Sequence, residues 1–185
     1  MKTLYLIRHG EVNNPTGIIY GRLPGFGLSQ TGKKQISSAL HKLKCNPPHA
    51  LYASPMQRTQ ESAELIASNL NLKIETDDRI IETKIGHFQG KSFDSLPKPY
   101  ITDEGIHPEI ESGRSIRTRF MGFVDHLRIQ HPKKTVAAVS HRDPIIVALL
   151  HWQNRPIEDL NTFDFAPGSI FAVHFKKTIK MEKLI

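Results

Sequence analysis

Two histidines and two arginines stand where strand-forming runs of the chain stop. Leu4-Tyr5-Leu6-Ile7 gives way to Arg8-His9-Gly10-Glu11, and Val136-Ala137-Ala138-Val139 gives way to Ser140-His141-Arg142-Asp143. A third run, His49-Ala50-Leu51-Tyr52-Ala53, ends at Ser54-Pro55, with Arg58 in the first turn of the helix expected to follow. The set suits phosphoryl transfer. A phosphate monoester carries about two negative charges at neutral pH. Two guanidiniums can each grip its oxygens in forked geometry. A neutral imidazole between them can attack phosphorus, and the neighbouring arginines lower its pKa and keep it unprotonated near pH 7. A covalent intermediate then divides one slow displacement into two easier ones. His9 is the expected nucleophile, with Arg8, Arg58 and His141 beside it.

Such a site requires strands that deliver these residues to one edge. Residues 3–8 read as a buried strand, too short and too continuously apolar for an amphipathic helix. Residues 13–28 are dense in Gly, Pro and Asn and read as a long loop, a feature that is usually functional in a compact domain. Ser29 fits an N-cap for a helix over 30–44, with Ile36, Ala39, Leu40 and Leu43 at helical spacing. Strands are expected at 49–53, 72–75, 135–140 and 169–175, and helices from Ser54-Pro55, over 114–130 and over 143–151. The basic tail from Lys176 fits an edge strand whose lysines discourage association. Residues 77–110 show no clean period. Strands alternating with helices imply an α/β fold, a three-layer αβα sandwich with a mainly parallel central sheet. Its ligands belong beyond the carboxyl ends of the strands. One domain over 1–185 is expected, with 83–113 as a small cover over the site.

The order of motifs resembles the histidine phosphatase superfamily, the phosphoglycerate-mutase-like fold. The resemblance rests on Arg8-His9-Gly10-Glu11, Leu28-Ser29-Gln30-Thr31-Gly32, Ser54-Pro55-Met56-Gln57-Arg58-Thr59, Glu82 ahead of Gly86-His87-Phe88-Gln89-Gly90, and Val139-Ser140-His141. It implies that His9 is phosphorylated, that Arg8, Arg58 and His141 bind the phosphoryl oxygens, and that Glu82 is general acid and then general base. It implies no metal and no cofactor. A position that the family commonly fills with asparagine is Pro15 here, so the corresponding phosphate contact is expected from Asn14. Tyr20, Arg22 and the 87–113 region are expected to contribute to substrate selection. The helix start at Gly113-Arg114-Ser115 lacks the glutamate usual there. Arg142 either adds a cation at the pocket mouth or pairs with Asp143. With only a modest cover, hydrolysis of a small phosphorylated substrate is expected over a phosphoglycerate-type phosphomutase.

Composition fits this reading. Hydrophobic residues make up 38% of the 185 and charged residues 23%, an ordinary balance for a globular protein. The lone cysteine, Cys45, excludes an intrachain disulfide and a Cys-based metal site. Met1-Lys2 leads directly into a strand without a leader-like apolar run, and no stretch is long enough to span a bilayer, so a cytoplasmic location with no membrane partner is expected. The net charge of +7 suits anionic partners. A basic nucleic-acid-binding module is the non-enzyme alternative, through Lys176, Lys177, Lys180 and Lys183. No aromatic-interleaved or zinc-finger pattern accompanies them, and no nucleic-acid partner is expected. The spacing Gly27 to Gly32-Lys33 imitates a P-loop. Lys34 stands where a Ser or Thr must bind magnesium, and no strand precedes it.

Overall fold

The computed structural model describes residues 1–185. Six strands form one sheet: β1 (Thr3–Arg8), β2 (Ala50–Ala53), β3 (Ile74–Thr76), β4 (Thr135–Ser140), β5 (Ile170–Phe175) and β6 (Ile179–Lys183). Their order is β3-β2-β4-β1-β5-β6. The pairs β3–β2, β2–β4 and β4–β1 are parallel, and β5 and β6 join antiparallel. The sheet is therefore mainly parallel, as the alternation of strands and helices implies.

Side chains alternate across the pleat, and each face has its own core. Leu4, Leu6, Tyr52, Val136 and Ala138 pack on one side against Phe120, Phe123 and Leu127 of α3 (Gly113–Gln130) and against α4 (Arg142–Trp152). Tyr5, Ile7, Leu51, Ala53, Ala137 and Val139 pack on the other against Ile36, Leu40 and Leu43 of α1 (Gln30–Cys45) and Ala63 and Ile66 of α2 (Gln57–Leu70). That is the expected αβα sandwich. Full burial of each large apolar side chain stabilises the fold by roughly 1.5–3 kcal/mol. Residues 144–150 of α4 are buried without a break, which is why this helix has no polar face.

Local chemistry sets the helix starts. Ser29 caps α1 by accepting from the Gly32 backbone N–H at 2.9 Å, a contact of about 1 kcal/mol. α2 begins at Gln57 rather than at Ser54-Pro55. Proline keeps its predecessor out of the helical region, and Ser54 still belongs to the sheet, donating its N–H to Val139 O at 3.0 Å. Gly10 and Gly32 face each other across the first strand end. A Cβ on Gly10 would stand 2.4 Å from Gly32 O, and one on Gly32 would stand 2.1 Å from Glu11 O. The two glycines let the β1 exit lie directly on the first turn of α1.

Between β3 and α3 the chain is irregular, with single 3-10 turns at Asp78–Ile80, Gly86–Phe88 and Phe93–Ser95. A small third cluster of Ile19, Ile85, Phe88 and Ile110 pins this segment to the 13–28 loop. No helix is long and apolar enough to cross a membrane.

Candidate active site

The sheet register brings the two histidines together. Arg8 pairs with Ser140 across β1 and β4, so His9 and His141 each follow one residue later. Their rings lie 5.3 Å apart, edge to face. Both are buried, as is Arg58. Three of the predicted residues thus meet where β1, β2 and β4 end, beside the first turns of α2 and α4, where helix dipoles favour an anion.

Hydrogen bonds fix each group. His9 Nδ1 lies 2.7 Å from the carbonyl of Gly10. A carbonyl only accepts, so the proton sits on Nδ1 and Nε2 keeps its lone pair. His141 Nε2 lies 2.7 Å from Ser54 Oγ, and its Nδ1 lies 3.4 Å from Glu82 Oε2. Arg58 donates from Nη2 to Gly21 O at 2.9 Å and to Glu82 Oε2 at 3.4 Å. Its guanidinium stacks on the Tyr20 ring, 4.7 Å from the centroid. Arg8 is held by the carbonyl of Phe165. Ser140 Oγ donates to Ile80 O at 2.7 Å, tying the end of β4 to the segment that carries Glu82.

The environment tunes these groups in opposite directions. Burial first, and the Arg58 guanidinium second, push His9 and His141 well below the usual histidine range. Burial raises Glu82; Arg58 opposes that shift and the carboxylate of Asp143 adds to it. A neutral imidazole thereby stands beside a carboxyl that holds its proton more strongly than an ordinary glutamate.

Buried Arg58 Nε and Nη1, Arg8 Nε and His141 Nδ1 make no hydrogen bond within the protein, the last lying 3.4 Å from Glu82 Oε2. Buried donors are nearly always paired in folded proteins, so four orphans on residues that converge around His9 mark a place built for an anion. His9, Glu82 and His141 also put one ligand atom each within 4.8 Å of one another, a spacing a metal ion could use. Two guanidiniums at the same place argue for an anion instead: they repel a divalent cation and stabilise a phosphate.

A family model described as the histidine phosphatase superfamily (branch 1) matches residues 4–181. The chain belongs to this superfamily. Among its relatives, phosphoserine phosphatase 1 of Hydrogenobacter thermophilus is 34% identical over 155 residues, covering 78% of this chain and 73% of that protein. The 2,3-bisphosphoglycerate-dependent phosphoglycerate mutase of Thermoplasma acidophilum is 29% identical over 152 residues, covering 82% and 71%. The solved phosphoserine phosphatase of Entamoeba histolytica, in complex with 3-phosphoglyceric acid, has the same fold at a TM-score of 0.83, 23% identity and coverage of 100% and 96%.

Within this histidine phosphatase fold, two predicted substrate contacts also bond within the protein. The Asn14 amide is engaged at both ends within its own loop: Nδ2 donates to Ile18 O at 2.9 Å, and Oδ1 accepts from the Ile18 N–H at 3.3 Å. These contacts shape the loop and leave one N–H of the amide nitrogen unused. Arg22 donates from Nε to Glu82 O at 2.7 Å and from Nη2 to Glu111 Oε2 at 3.3 Å. It braces the backbone of the acid. Glu111 also takes Arg119 at 2.8 Å, so it ties α3 to this brace although the usual glutamate beside Gly113 is missing. Arg142 is paired with Asp143 at 3.0 Å and donates to Leu160 O, the second of the two arrangements left open by the sequence. Arg58 is not paired with Glu61, which instead accepts from the Leu28 N–H at 2.7 Å.

Sequence reasoning missed Ser54 as the partner of His141, Gly21 as the anchor of Arg58 and Asp143 as a neighbour of Glu82. Ser54 was legible as the residue directly beyond β2; the Gly21 contact depends on a carbonyl and leaves no signal in side-chain types. Beside Glu82 lies a cavity of about 130 Å³, lined also by Tyr20, Asp143 and apolar side chains from the irregular segment.

Proposed function

We propose that the protein is a metal-independent phosphatase that hydrolyses phosphate monoesters through a phosphohistidine on His9. The observation that carries this reading is the set of buried, unpartnered donor nitrogens on Arg8, Arg58 and His141 around an imidazole whose tautomer leaves Nε2 free. Arg58 and Arg8 grip the phosphoryl oxygens. Ser54 Oγ–H donates to His141 Nε2, so the His141 proton sits on Nδ1 and reaches the same oxygens. His9 Nε2 attacks phosphorus as the ester P–O bond breaks. Glu82 gives its proton to the departing oxygen, then takes one from the water that attacks the phosphohistidine, releasing phosphate and free His9. Residues 83–113 act as the cover over the leaving-group side.

Hydrolysis is favoured over mutase action by the lining of the cavity beside Glu82. A mutase must hold a doubly phosphorylated intermediate long enough to turn it around, which calls for cations on the leaving-group side. That lining contains no lysine, arginine or histidine.

The test is phosphate release from 4-nitrophenyl phosphate. His9→Ala is expected to lose at least about a thousandfold in kcat, with no acid-labile phosphoenzyme trapped by rapid quench. The wild type should keep its rate in EDTA. A mutant that still turns over, or a wild type silenced by chelator and restored by a metal, would sink the mechanism.

A further inference from the structure

The leaving-group side of the site has a chemistry of its own. Its cavity is walled by Ile19, Ile85, Phe93, Leu96 and Tyr100, with one buried, unpartnered hydroxyl, Thr83 Oγ1, and two carboxyls, Glu82 and Asp143. Asp143 is fixed in place: Tyr100 Oη donates to its Oδ2 at 2.6 Å and Arg142 to its Oδ1 at 3.0 Å. Arg142 already balances its charge, so a substrate cation would gain little from it.

Nearby cations are turned to other tasks. Arg22 faces Glu82 O and Glu111. Lys98, the one basic residue of the adjoining groove beyond Phe93, Leu96 and Tyr100, pairs with Asp94 at 3.6 Å. An anionic group attached to the ester oxygen would find no cation in this lining to offset its desolvation, and Arg142 is already engaged with Asp143. An apolar group would meet matching walls. The volume of about 130 Å³ is close to that of apolar cavities, on the order of 150 Å³, that hold a single benzene ring.

Resting on the hydrolytic reading above, we propose that the natural substrates are phosphate monoesters of uncharged, largely apolar alcohols or phenols, about one ring in size next to the ester oxygen. Esters with a carboxylate or second phosphate at that place are rejected. This would separate the chain from relatives named for phosphoserine and phosphoglycerate, whose alcohols carry a carboxylate. Selectivity then belongs to Leu96, Phe93 and Asp143.

The test compares kcat/KM for butyl phosphate, 3-(phosphonooxy)propanoate and the corresponding propanamide, which match in length and differ in charge. The wild type should favour the two neutral esters over the carboxylate by at least about tenfold. Leu96→Arg should narrow that gap by about tenfold by supplying the missing cation. Phe93→Arg, on a residue 56% exposed at the cavity mouth, serves the same purpose where the fold cannot accept the first variant. Equal rates for the three esters, or arginine variants that leave the gap unchanged, overturn this proposal alone. Failure of the wild type to release phosphate from any of them overturns the hydrolytic reading and this proposal together.

Discussion

The two halves of the candidate site are built from opposite materials. On the phosphate side, His9, Arg58 and His141 are buried and tied to strand ends or first helical turns, and their partners are backbone carbonyls, one hydroxyl and the Glu82 carboxylate. On the alcohol side, the walls come mostly from the 13–28 loop and the irregular stretch between β3 and α3, and Phe93 is largely exposed. A sheet edge holds donors to within tenths of an ångström, which a charge-stabilising site needs. Loops can change shape and composition without moving the sheet, which substrate choice needs. Under the proposed mechanism, the reaction belongs to one half and the choice of substrate to the other.

The strongest challenge to that division is Arg58→Lys. It keeps the charge and removes the fork, including the two orphan N–H groups. A loss of between about a hundred- and a thousandfold in kcat/KM is expected for every ester, whatever its alcohol. Measured over a series of alcohols, a loss that varied strongly among them would break the separation of the halves.

Glu82→Gln probes the seam between them. Alkyl phosphates, whose leaving oxygen needs a proton, should slow by about a hundredfold, and 4-nitrophenyl phosphate by less than about tenfold. Equal losses for both would move the proton donor to another residue.

The pH profile should show the same seam with a smaller effect. His9 attacks only when neutral. Its pKa is depressed by burial and then by Arg58, so the acid limb of kcat/KM should lie below the usual histidine range. Glu82 must carry a proton to start the reaction, and its raised pKa sets the alkaline limb, where activity falls as pH rises. Asp143→Asn removes a charge that raises Glu82, so that limb should move to lower pH while the acid limb stays in place. A shift in the opposite direction would remove Asp143 from this role.

The difference between the halves also explains what the sequence revealed. Apolar runs ending in Arg8-His9-Gly10 and Ser140-His141 announce both the strands and the chemistry at their ends. The alternation of elements implies parallel strands, while the pairing of β1 with β4 is seen only in the sheet. The boundaries of α2 and β3 were less legible, because Ser54 and Asn71 take backbone states set by their neighbours: Ser54 by proline and the sheet, Asn71 by a left-handed cap at φ 52°. Asn14 and Arg22 show what side-chain types leave out. An amide or guanidinium near a phosphate pocket reads as a ligand, yet each here satisfies backbone carbonyls that the loop leaves unpaired. The contacts of the 83–113 segment have no periodicity to betray them.

The face-to-face glycines at positions 10 and 32 carry a consequence for how this chain can drift. Most tight packing can be repaired by a second change that shrinks the neighbour. Here the obstacle to a methyl is backbone, that of Gly32 in the first turn of α1 for Gly10 and that of Glu11 for Gly32, and no smaller side chain exists to substitute. The pair therefore has no compensating partner anywhere in the chain. In a saturation library selected for activity, both positions should remain glycine even in backgrounds made more stable elsewhere, while the cover a short distance away diversifies freely.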